Sequence, residues 1–487
     1  MRFQRTAVPM GWMQTLAVAG CVVLGTAMPN PVSGHDAGSS LRGIQKGAYF
    51  SDAVSLAIES LATSEIAKLV ASDASEKDLF GSSVAIDGDT VVIGTIWDSD
   101  SASVHAGSAY IFMRDQGGTD AWGQVAKLTA SDAAGWDYFG WSVAISGDTV
   151  VVGARYNSLS GLNESGAAYI FTRNQGGADA WGQVAKLTAS DAASYDDFGY
   201  SVAISGDTVV VGAVRDDHPG MYNAGSAYVF MRDQGGADAW GEMLKITASD
   251  AEPGDEFGTS VAIHGDTVVV GALLDDHPGM LEAGSAYIFM RNQGGANTWG
   301  QVAKITASDG EAGDEFGVSV AVDVDTAVVG VAGYAGERAY VFERDSGGTD
   351  AWGQVAKLTA SDASSNDDFG FSVAVNQDIV VVGAKFGGPS GTANAGSAYI
   401  FMRNEGGANA WGEAAKLTAS DGADEDRFGI SVAVDGEIAV IGANGDDYSD
   451  MTSAGSVYIF GLTHSSIPIF TDGFESSDTT EWSGSSP

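Results

Sequence analysis

At 487 residues, with 44% hydrophobic side chains, 67 Gly and only 9 Pro, the chain has the make-up of a folded, turn-rich protein and not of a disordered or collagen-like one. Its 64 acidic and 23 basic residues leave a formal net charge of −41. That field repels polyphosphates and anionic lipid headgroups, so nucleic acid and membrane surfaces are poor partners unless cations bridge them.

The N-terminus begins Met1-Arg2-Phe3-Gln4-Arg5, runs through an apolar stretch from about Ala7 to Met28, and reaches Pro29-Asn-Pro31-Val-Ser-Gly34. A basic start, an apolar middle and small residues before a polar stretch predict a secretory signal peptide over residues 1–34 and a secreted, extracellular protein. Val18-Ala19-Gly20-Cys21 also resembles a bacterial lipoprotein cleavage box, which gives the alternative of a surface lipoprotein held through Cys21. Cys21 is the single cysteine, so cleavage at Gly34 leaves no disulfide, thiolate metal ligand or thiol nucleophile. No second stretch is long and apolar enough to span a bilayer. Residues 35–64 read as a leader or linker, with a short helix expected around Ala53 to Leu61.

From there the chain repeats. Phe-Gly pairs at Phe80, Phe139, Phe198, Phe257, Phe316, Phe369 and Phe428 are spaced 59, 59, 59, 59, 53 and 59 residues apart. A fixed period of this size signals units that cannot bury their apolar faces alone. In the second copy, Phe139 to Ile145 is a predicted strand and Ser146-Gly147-Asp148 a tight turn. Thr149 to Ala154 is a nearly continuous apolar strand, buried on both faces, and Gly166 to Thr172 a third. Arg173 to Gly182 then turns the chain into an alternating outer strand, Gln183 to Ala189. Four antiparallel strands in each of seven units describe an all-β, seven-bladed β-propeller.

The count balances only through a seam. An outer-type strand, Glu65 to Ala71, precedes the first Phe-Gly, while none follows the last third strand, Gly455 to Phe460. The N-terminal strand should therefore complete the C-terminal blade, closing the ring and removing open sheet edges. The fifth unit is six residues short, wholly in the loop between its second and third strands, which marks that loop as surface.

The run Phe-Gly-x-Ser-Val-Ala, Val-Val-Gly-Ala, Gly-Ser-Ala-Tyr-Ile-Phe resembles the FG-GAP repeat of the integrin α-subunit N-terminal propeller and its bacterial relatives, over residues 65–462. The resemblance implies a seven-bladed propeller with ligand contacts on the face built from the loops joining strands two to three and four to one. It does not imply one activity. The integrin-type Asp-x-Asp-x-Asp-Gly-x-x-Asp calcium loop is absent; turns such as Ser205-Gly206-Asp207 and His264-Gly265-Asp266 stand in its place. The tail, residues 463–487, is similar to a short terminal segment of various secreted bacterial proteins.

Two aspartates recur in every unit, seven residues before the Phe (Asp73, Asp132, Asp191, Asp250, Asp309, Asp362, Asp421) and two before it (Asp78, Asp137, Asp196, Asp255, Asp314, Asp367, Asp426). They read either as turn caps or as calcium ligands. The two-to-three loops are more individual: Asp216-Asp217-His218-Pro219-Gly220, Asp275-Asp276-His277-Pro278-Gly279 and Asn444-Gly-Asp446-Asp447-Tyr-Ser-Asp450. Asp216, Asp217, His218, Asp275, Asp276 and His277 are candidate ligand-binding residues, and Asp446, Asp447 and Asp450 candidate metal ligands, with solvated turns as the alternative. No cofactor is implied beyond calcium. Trp122, Trp181, Trp240, Trp299, Trp352 and Trp411 precede the outer strands, either packing on a neighbouring hairpin or offering a sugar platform, and Arg114, Arg173, Arg232, Arg291, Arg344 and Arg403 should pair with surplus acids.

No hydrolase elbow, zinc-protease, phosphate-loop or sialidase-type motif is present, and no catalytic residue stands out. The sequence predicts a monomeric, non-enzymatic binding or adhesion module for an extracellular protein or glycan, with calcium assistance as one option. A polysaccharide hydrolase or lyase is the alternative.

Overall fold

A computed structural model describes residues 58–467 except 100–102, 294, 334–336, 365 and 389–391. The signal-peptide and lipoprotein segments, and residues 468–487 of the tail, lie outside the described residues. Within them are 28 strands in seven four-stranded antiparallel sheets and no helix. The first blade is Phe80–Asp87, Thr90–Thr95, Ser108–Met113 and Gly123–Leu128. The second is Phe139–Ser146, Thr149–Ala154, Ala167–Thr172 and Gly182–Leu187.

The last blade holds Ser431–Asp435, Ile438–Ala443 and Ser456–Ile467, and its outer strand is Ile58–Leu69. Ile58 pairs with Ile467, Glu65 with Phe460 and Leu69 with Val457, so the expected seam is present. Pairing begins at Ile58, which corrects the helix expected around Ala53 to Leu61. From Ile58 onward those residues are strand, because the long third strand opposite them supplies a hydrogen-bonding edge that local propensity does not foresee.

The cores lie between blades. In Thr149–Ala154, Val150 and Val152 pack with the first blade, while Val151 packs with the third. The two-residue alternation of a strand thus feeds two cores at once, and every residue of that strand is buried. Seven such clusters run around the ring, the seventh joining Leu69, Val440, Val457 and Ile459 to Phe80, Val91, Ile93 and Tyr110.

The repeated motif has a physical reading. Each Phe is buried edge-on against the Tyr and Phe of its own third strand: Phe139 sits 5.5 Å from Tyr169 and 5.9 Å from Phe171. Gly140 adopts φ +89°, and a Cβ there would overlap the Ser108 carbonyl of the preceding blade. The Ser two residues after each such Gly donates its hydroxyl to the corresponding Gly carbonyl of the next blade. All seven bonds form, at 2.7–2.9 Å, from Ser83 to Gly140 round to Ser431 back to Gly81.

Ser205 pairs with Thr208, and Thr208 with Met231, so the one-to-two turns and three-to-four loops share one face. The two-to-three loops and the four-to-one crossovers form the other. That second face is called the upper face below.

Candidate functional site

The recurring aspartates divide into two jobs. Each member of the set two residues before the Phe accepts the amide three positions back, as Asp78 does from Ser75 at 2.6 Å and Asp196 from Ala193 at 2.5 Å, which is a turn cap. Members of the other set each accept a tyrosine hydroxyl and a lysine of the blade they lead into. Asp191 takes Tyr228 at 2.8 Å and Lys245 at 2.8 Å, and Asp421 takes Tyr458 at 2.8 Å and Lys68 at 2.7 Å. Burial pushes Asp191 upward, but its bonds to Lys245 and Tyr228 outweigh that and hold it below the usual carboxylate range.

The candidate loop residues are distributed over the same scaffold. Asp216 is buried, 2.6 Å from Lys245 and 2.6 Å from the Ser226 hydroxyl that donates to it. His218 meets Ser226 through Nε2 at 2.9 Å, and exposed Asp217 accepts the Asn223 amide at 2.7 Å. Asp275, His277 and Asp276 repeat this arrangement with Lys304, Ser285 and Glu282.

Asp446 bonds Lys68 at 2.9 Å and accepts the Ser456 hydroxyl, while Asp447 caps the Ser453 amide. The lysine ammonium therefore stands beside Asp421 and Asp446, in the position a shared cation would occupy. Among the described residues no group of three or more His, Cys, Asp or Glu is placed to hold a metal ion. The Gly206-Asp207 turn spans two residues between paired Ser205 and Thr208, too short to wrap a calcium ion, so the integrin-type site has no donor set here.

Four of the tryptophans are core residues: Trp240 and Trp352 are each 2% exposed, and Trp181 and Trp299 lie in inter-blade clusters, while Trp122 and Trp411 are partly buried against two further clusters. The arginines do pair with acids: Arg114 with Asp120 at 2.6 Å, Arg173 with Asp179 at 2.7 Å, Arg232 with Asp207 at 2.8 Å.

What sequence reasoning missed sits beside the Phe-Gly pairs, on the upper face. Immediately before each Phe stands a residue at positive φ, and no blade uses glycine there: Leu79, Tyr138, Asp197, Glu256, Glu315, Asp368 and Arg427, at φ 55–60°. Two residues after the Phe, Trp141 and Tyr200 replace the small or aliphatic residues of four other blades. Arg155 lies 4.3 Å from the Trp141 and Tyr156 rings and 4.7 Å from Tyr200. It pairs at 2.9 Å with Asp197, which is fully buried. Asp197 Oδ1 and Arg155 Nε are buried without a hydrogen-bond partner. Burial drives the Asp197 carboxyl upward against the pull of Arg155 and Arg215.

The rings continue outward without a break. Trp97 meets His105 at 5.3 Å, His105 meets Trp136 at 4.6 Å, Trp136 and Tyr138 are 6.4 Å apart, and Tyr138 contacts Tyr156 at 5.1 Å and Trp141 at 6.4 Å. Beside them opens a cavity of about 430 Å³ lined by Trp136, Asp137, Tyr138, Tyr156, Asn157 and Glu164 among others. Aromatic faces with amide and carboxylate groups around a hollow of this size can stack on and hydrogen-bond a polar organic ligand. Aligning the seven copies and asking where they disagree next to invariant residues would have exposed these positions.

The FG-GAP repeat family matches residues 63–112, 122–171, 181–230, 240–289, 299–342, 352–401 and 411–460, well over half of the chain. The chain belongs to the FG-GAP repeat family. No curated protein matches it. Each FG-GAP repeat starts on the outer strand of one blade and ends on the third strand of the next, so every blade of this FG-GAP propeller is built from two repeats. FG-GAP repeats are typical of extracellular proteins, and their propellers are binding or adhesion-type modules. Among the described residues no helix is long and apolar enough to cross a membrane.

Proposed function

We propose that this FG-GAP protein is a secreted, non-enzymatic binding or adhesion module that holds an extracellular protein or glycan on its upper face. The observation that carries the reading is where the blades differ. The framework bonds repeat in every blade, whereas the residues flanking the Phe-Gly pairs diverge and gather into the Trp141, Tyr200, Arg155, Asp197 cluster. Loops on a rigid scaffold are where recognition is ordinarily placed.

The runner-up, a polysaccharide hydrolase or lyase, has the carboxylates of the cavity in its favour. Asp132 and Asp137 are engaged by Tyr169, Lys186, Ala134 and Asn157 as the equivalent acids are elsewhere, which leaves Glu164 without a paired acid of comparable freedom. Purified protein presented with immobilised glycans and extracellular-matrix proteins should retain a ligand without generating reducing ends. Weakened retention in Tyr200→Ser is expected, and new reducing ends without retention would favour the enzyme. Repeating the retention with calcium and with a chelator separates cation-assisted from cation-free binding.

A further inference from the structure

On the upper face, six junctions between blades among the described residues are made the same way. The third residue before the Phe donates its amide to the two-to-three loop of the preceding blade: Trp136 to Val104, Tyr195 to Asn163, Gly254 to Tyr222, Gly313 to Leu281, Glu425 to Ala393 and Lys77 to Thr452, all at 2.8–3.0 Å. Two neighbouring positions therefore meet at each of these six junctions. At four consecutive junctions, from blades one and two to blades four and five, at least one of the two is a large exposed apolar residue, and at the first both Val104 and Trp136 are. Trp136 is 56% exposed, Tyr195 52%, Tyr222 68% and Leu281 69%. The two other described junctions carry Ala393 with Glu425 and Thr452 with Lys77.

The choice of residue runs against the backbone. The position three before the Phe has φ between 66° and 90° in every blade, which two blades satisfy with Gly and one with Asn. Trp136 and Tyr195 occupy it at φ 72° and 75°. A bulky ring in the left-handed region of an exposed loop costs stability. Neither ring belongs to an inter-blade core, the Trp136 ring meets only those of His105 and Tyr138 among the described residues, and more than half of each residue stays open to what it meets outside.

The four side chains stand at four different junctions. Trp136 belongs to the run of rings described above, whereas Tyr195 and Tyr222 touch no other ring among the described residues. A protein partner would need a contiguous patch, and from Trp136 onward these are separate platforms repeated at the pitch of the blades. From this we infer that the four junctions form one curved track for an extended neutral polysaccharide, its sugar faces stacking on successive junction side chains. Glu164, on the wall of the cavity beside Trp136, is the carboxylate placed to take a hydroxyl, since Asp132, Asp137 and Asn157 are engaged within the protein. An anionic chain is disfavoured by the net charge of −41. This rests on the upper face being the ligand face.

The test is affinity electrophoresis of the full chain in gels carrying laminarin, mannan, xylan or galactan, with alginate as the anionic probe. At least one neutral polymer should retard the protein, and a tetrasaccharide of the same sugar should compete at least about tenfold more weakly than the polymer, since it cannot reach several junctions. Trp136→Gly should weaken retardation about tenfold or more with an unchanged or higher melting temperature, because glycine suits that backbone. Tyr222→Ser should weaken it likewise, and Lys77→Gly should not.

Retardation by none of the neutral polymers, retardation by alginate alone, or an equal loss in Lys77→Gly would overturn the track. Binding of a matrix protein that is lost in Tyr200→Ser but intact in Trp136→Gly would leave the ligand face standing while removing the polysaccharide.

Discussion

Asp78, Asp196, Asp255 and Asp426 are buried turn caps whose carboxyls are pushed up to about 6, chiefly by burial. Between their ordinary value of 3.8 and 6 the folded chain binds protons that the unfolded chain does not, so these groups make folding more favourable as the pH falls through 6. The aspartates held low by lysine and tyrosine act oppositely, losing their contribution as the pH falls through their depressed folded values. A melting temperature that rises from pH 7 to about 5 and drops below about 3.8 is expected. A flatter rise in Asp196→Asn, which keeps the acceptor, would tie the effect to the cap, whereas a steady decline from pH 7 to 5 would contradict it. On the same scale, Ser201→Ala removes the 2.7 Å bond to the Gly258 carbonyl and should cost about 1 kcal/mol in chemical denaturation.

The second strand of each blade is the element that decides whether a unit folds. Thr208–Ala213 is buried throughout, and Val210, with no exposed surface, packs in the core shared with the fourth blade. Val210→Asp should cost several kcal/mol, since about 1.5 to 3 for lost apolar burial is joined by the charge penalty, and a near-native denaturation midpoint would contradict this. These strands were legible in the sequence because Val-Val-Val-Gly-Ala leaves no polar face to alternate, and the Phe-Gly period fixed how many there are. The candidate site was not, because a repeat draws the eye to what recurs. Asp216 and Asp275 recur, and they turn out to tie lysines to loops. Trp141, Tyr200 and Trp136 each occur once, in positions that read as ordinary variation until the fold sets them side by side.

For the molecule as a whole, closure rests on one strand from a distant part of the chain. Without Ile58–Leu69 the last blade loses its outer strand, and Lys68 no longer meets Asp421 and Asp446. Removing residues 58–69 should lower the melting temperature sharply, and an unchanged melt would mean that the ring does not depend on its seam.

That same pair of strands outruns the blade it closes. Ile438, the start of the second strand, is matched to Gly461, yet the third strand continues to Ile467 with Ile58 returning alongside it. Both therefore project past the face of the short turns, behind the disc. The strand ends at Ile58 and Ile467 thus stand behind the ring, on the side away from the aromatic cluster. Neither strand end can therefore obstruct a ligand that approaches the aromatic side.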